Sequence, residues 1–190
     1  MVGTRLANRT KRVMRKLLVL FVAALAACSQ QSDQPKEAAA PPFNPSEFVT
    51  KSLLTANSNI LLGQMAAKKG RVDQTREFGK VMHQQQQELR AALATVAKQK
   101  NIAVPEGIEE KKVALRDNLA ILPGQVFDRG YSLAMLQDLR SMQRQMERAE
   151  QSGDPQLASF SRKYRPLLAQ EEKLAAAALE RVGGSPFAFE

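Results

Sequence analysis

The chain carries one cysteine, Cys28, and one histidine, His83, so nucleophilic and metal-ligating chemistry have few residues to draw on. His83 lacks the glutamate three positions earlier that a Glu-x-x-His metal pair requires, because that position is Lys80. With Gly79, Gln87 and Arg90 as its helical neighbours, it reads as a surface histidine rather than a ligand. Glu171 is different. It falls on an apolar stripe between Leu167 and Leu174, where a carboxylate needs a cation, a hydrogen-bond donor or a raised pKa. Asp138, at the edge of a second stripe, reads as an ordinary boundary aspartate. Met135, Met142 and Met146 share one helical face; methionine arrays can bind copper(I), but core packing is the commoner use of the residue. The sequence contains no Gly-rich phosphate loop and no Ser/His/Asp set.

Cys28 is explained by what precedes it. Arg5, Arg9, Lys11, Arg12, Arg15 and Lys16 come first, followed by the uninterrupted apolar run Leu17 to Ala27. As a helix those 11 residues cover about 16 Å, too short for a hydrocarbon core of about 30 Å. Basic segment, short apolar core and small residues make an export signal. The ending Leu25-Ala26-Ala27-Cys28 resembles the lipobox of bacterial lipoproteins. That resemblance implies cleavage before Cys28, a diacylglyceryl group on its sulfur and acylation of its new amine. Two or more acyl chains give stable anchoring where one is marginal. Ser29, in place of aspartate, points by the same resemblance to the outer membrane. Met14 is an alternative start, since Met14-Arg15-Lys16-Leu17 would open a complete short signal.

Removing this leader changes the charge argument. The full chain has 28 basic and 19 acidic residues, a net charge of +9. The leader holds 6 of the basic residues and no acidic one, leaving 22 against 19, or +3. A nucleic-acid footprint needs a more concentrated basic surface than that. The expected organisation is a signal peptide at 1–27, a lipidated N-terminus and tether at 28–45, a helical domain at 46–182 and a tail at 183–190. The tether has four prolines and one large apolar residue between Ser29 and Pro45, too little apolar surface to offset its ordering entropy. Phe187 and Phe189 in the tail could dock on the domain or on a partner.

Between tether and tail the pattern is helical. Asn44-Pro45-Ser46-Glu47 predicts a capped start with Glu47 in the capping-box position, and Gly70 a stop. A second helix is expected from about Asp73 to Lys100 and a short one from about Glu110 to Leu122. A third long helix should begin near Gln125 with Phe127, Tyr131, Met135, Leu139, Met142 and Met146 inward. Asp154-Pro155 predicts the start of a fourth, interrupted by Pro166 and running to about Val182. There is no alternating apolar run to suggest a strand. The expected fold is all-α, an antiparallel four-helix bundle with a short extra helix between the second and third long helices.

The order of Phe48-Val49-Thr50-Lys51, Gly63-Gln64-Met65-Ala66, Phe78-Gly79-Lys80-Val81-Met82, Phe127-Asp128-Arg129-Gly130-Tyr131 and Gly153-Asp154 resembles bacterial envelope proteins of domain-of-unknown-function family 4142. The resemblance covers about Ser46 to Ala178 and implies a ferritin-like bundle. Members typically carry an interior glutamate on the first helix and histidines on the next three long ones, which suggests a metal site. Carried over by position, these fall on Asn59, Gln86, Leu139 and Glu171, of which only Glu171 keeps a charged oxygen. The resemblance puts Asn59 and Gln86 in the same layer as Glu171, and the expected role of this cluster is to fix helix register. No metal or other cofactor is assigned. The expectation is a non-catalytic, outer-membrane-anchored lipoprotein facing the periplasm, with the membrane and a candidate envelope protein as partners. The alternative is a metal-binding or redox protein with a degenerate interior site.

Overall fold

The computed structural model describes residues 42–186. The leader, Cys28, the tether up to Pro41, Phe187 and Phe189 lie outside the described residues. Five helices follow one another: α1 Pro45–Lys69, α2 Asp73–Gln99, α3 Glu110–Ile121, α4 Gly124–Glu150 and α5 Pro155–Arg181. Among the described residues there is no strand, and no helix is long and apolar enough to cross a membrane. The architecture is an all-α helical bundle.

Two starts are capped as their sequences predict. Asn44 Oδ1 accepts from the amides of Ser46 and Glu47, and Asp154 Oδ1 accepts from those of Gln156 and Leu157. The capping box at α1 is not completed, because the Glu47 carboxylate pairs with Lys51 one turn on. Phe43 instead packs against Phe48, ring centroids 5.5 Å apart and planes tilted by 44°, forming a hydrophobic staple across the cap. Phe43 is thus part of the folded domain rather than of a tether.

α1 and α2 run in opposite directions, since Gly63 lies against Gly79 and His83 while Asn57 meets Arg90. α4 and α5 do the same, with Arg140 on Glu172 and Arg165 on Glu150. Gly79 permits the closest approach: a Cβ there would lie 2.5 Å from the Ala67 nitrogen. The connection from α2 to α4 crosses the outside of the bundle and is held on α1. Asn57 Nδ2 donates to the carbonyls of Pro105 (3.2 Å) and Gly107 (2.7 Å), and Thr55 donates to the Glu109 carboxylate. Gly124 takes φ +50° where this connection turns into α4.

The core is continuous, with Leu53, Phe78, Met82, Leu89, Phe127, Met135 and Leu139 all at 0% exposure. The expected α4 stripe is buried throughout. In α5 Leu157, Phe160, Glu171 and Ala178 are buried, but beside Glu171 the innermost apolar positions are Leu168 and Ala175, with Leu167 and Leu174 only partly buried. The helix continues through Pro166, which cannot donate to the carbonyl four residues earlier.

Candidate functional site

Midway along the bundle its apolar core is interrupted by polar side chains from α1, α2 and α5. Glu171, Gln86 and Asn59 are all at 0% exposure. Gln86 Nε2 donates to Glu171 Oε2 at 2.8 Å, joining α2 to α5. Asn59 Nδ2 points at the sulfur of Met142 at 3.5 Å, joining α1 to α4. The two contacts share a level. The Ile60 carbonyl is 3.0 Å from His83 Nδ1 and Asn57 meets Arg90, so residues 57–60 of α1 stand beside the α2 turns that hold Gln86. Leu139, the remaining position implied by the resemblance, is fully buried and supplies only hydrocarbon.

Three oxygens of this layer have no hydrogen-bond partner: Asn59 Oδ1, Gln86 Oε1 and Glu171 Oε1. All three are acceptors when Glu171 is ionised, so the layer lacks donors. Burial pushes the Glu171 carboxyl up to about 8, although the hydrogen bond from Gln86 pulls the other way. At neutral pH the neutral acid therefore predominates, and its O–H supplies a donor that the ionised form lacks. Tyr131, equally buried, has its phenol pushed further up by burial and secondarily by the charge of Glu171. Its hydroxyl also lacks a partner. What this layer can do chemically is hold a proton, and its unpartnered oxygens can accept further hydrogen bonds. Among the described residues no group of three or more His, Cys, Asp and Glu side chains stands ready for a metal ion.

Two readings of single residues need correction. His83 is half-buried against α1, with its Nδ1 on the Ile60 carbonyl, not on a solvent face. Asp138 is not an ordinary boundary residue. It pairs with Lys112 at 2.6 Å, the two side chains only 12% and 7% exposed, and this buried ion pair docks α3 on α4. Lys112 was missed altogether. Its signal is its place one and two turns before Leu115 and Leu119, on the inward face of α3. Tyr131 carried a similar signal, a hydroxyl on an otherwise apolar stripe. Met135, Met142 and Met146 are all buried core residues, and the last also contacts Ser161.

A family model described as "Domain of unknown function (DUF4142)" matches residues 29–178. No curated protein and no solved structure matches.

Proposed function

The chain belongs to the DUF4142 family, and from that premise we propose that it is a non-catalytic lipoprotein, anchored by Cys28 in the outer membrane and presenting a ferritin-like bundle to the periplasm as a structural or binding module. The observation that carries this reading is the sequence Leu25-Ala26-Ala27-Cys28 closing a basic and then apolar leader. The ferritin-like reading is supported by four antiparallel contacts that close a ring. Besides the α1–α2 and α4–α5 pairs, α2 meets α5 through Gln86–Glu171 and Lys100–Asp154, and α1 meets α4 through Asn59–Met142 and Arg71–Asp128. Helices α1 and α5 then share one direction and α2 and α4 the other, as one long crossover connection requires.

The test is the mass of the mature N-terminus together with cell fractionation. An acylated Cys28 at the N-terminus, and a Cys28→Ala protein lost from the outer-membrane fraction, are expected. An unmodified Cys28, or a Cys28→Ala protein that still fractionates with that membrane, would overturn the proposal.

The partnerless oxygens of Asn59, Gln86 and Glu171 favour a second reading, a metal-binding or redox protein with a degenerate interior site. Metal analysis of protein purified without chelators tests it: stoichiometric iron, zinc or copper, lost on Glu171→Ala, would favour this reading over the first.

A further inference from the structure

The end of the bundle where α1 passes into α2 and α3 into α4 carries an apolar knuckle in a basic surround. Ile121 is 79% exposed and Val126 58%, the two most exposed large apolar side chains among the described residues. They flank the Leu122-Pro123-Gly124 turn, which holds them outward while Leu122 packs inward. Around them stand Lys69, Arg71 and Arg129. Lys69 donates to the Ala120 carbonyl, the Arg71 side chain lies beside Gly124, and Arg129 follows Val126 by one helical turn. None of these three cations forms an ion pair within the described residues. The acids nearby are spent elsewhere: Asp117 pairs with Arg116, Asp73 with Arg76, and buried Asp128 accepts from the amides of Arg71 and Val72.

From this arrangement we propose that the knuckle is a docking surface for an anionic phospholipid membrane, Ile121 and Val126 entering the headgroup boundary while the three cations face lipid phosphates. The charge complementarity selects the partner. Each Lys or Arg close to an anionic bilayer adds attraction that falls off within a Debye length, and apolar side chains add burial that salt does not screen. This contact is separate from Cys28 and uses only the folded domain.

The test uses the chain beginning at Ser29, which retains the whole described core, Phe48 to Leu179, and carries no acyl group. Sedimentation with vesicles of phosphatidylcholine containing about one-third phosphatidylglycerol should pull the protein down at low salt, and pure phosphatidylcholine should not. Binding should weaken about fivefold for each cation removed in Arg71→Gln and Arg129→Gln. Ile121→Asp/Val126→Asp should abolish it, while Lys98→Gln, near the far end of α2, should leave it unchanged. Circular dichroism confirms that each variant is folded. Equal binding to both vesicle types, no binding to either, or full binding by the Ile121→Asp/Val126→Asp variant would each overturn the proposal. Because the protein tested has no anchor, its failure leaves the lipoprotein reading standing.

Discussion

Glu171 is held where only its neutral form is comfortable, and this makes a pH dependence with a definite sign. Its folded pKa, about 8, lies above the ordinary value of 4.5, so between those values the folded state binds more protons than the unfolded one. The stabilisation is complete below about pH 4.5 and is lost as pH rises through about 8. Denaturant midpoints should therefore fall across this window in the wild type, and Glu171→Gln should flatten the fall. Asp154 acts with the opposite sign. Lys100 chiefly holds its carboxyl below the usual range, so its contribution is lost only as pH falls further into acid. Removing one partner of the Lys112–Asp138 pair should cost about 3–5 kcal/mol by stranding a buried charge. Lys112→Met/Asp138→Leu should recover much of that, as read by chemical denaturation. Glu171 was legible because it breaks an apolar stripe on its own helix. Asp138 was misread because its partner belongs to another helix, and no local pattern announces that docking.

At the scale of the element, the seam between α1 and α2 depends on missing side chains. Alanine is favoured over glycine within a helix by about 1 kcal/mol. At Gly79, however, a Cβ would meet the Ala67 nitrogen at 2.5 Å and the Gly63 carbonyl at 2.7 Å. Backbone cannot step aside without moving a helix. Gly79→Ala should therefore destabilise by about 2 kcal/mol or more, whereas Gly107→Ala, with nothing within 4 Å, should stay within about 0.5 kcal/mol. Thermal unfolding of both variants checks the contrast. The helices themselves were readable to within a residue or two, because caps such as Asn44 and Asp154 are local chemistry. The exchange of Leu167 and Leu174 for Leu168 and Ala175 in the middle of α5 has a different origin. Spacings of 3 and 4 allow neighbouring stripes, and only the facing helices decide that Leu168, not Leu167, goes inside.

Across the whole molecule, the sequence supported an all-α bundle because every long segment needs a partner for its apolar face. The α3 docking surface and the exposed knuckle were not legible. Both depend on where the crossover comes to rest, and that is set by side chains far apart in the chain, such as Asn57 on Pro105 and Gly107. The turn between α1 and α2 shows how far this interdependence extends. Val72 supplies no side-chain cap to α2; instead Asp128 of α4 accepts from the amides of Arg71 (2.9 Å) and Val72 (3.2 Å). The first hairpin is thus completed by a residue more than fifty positions downstream. In native-state hydrogen exchange, these two turn amides should be exposed only by large-scale opening, not by the fraying usual for a three-residue link. Asp128→Ala should release both to fast exchange while amides in the middle of α1 and α2 keep their slower rates.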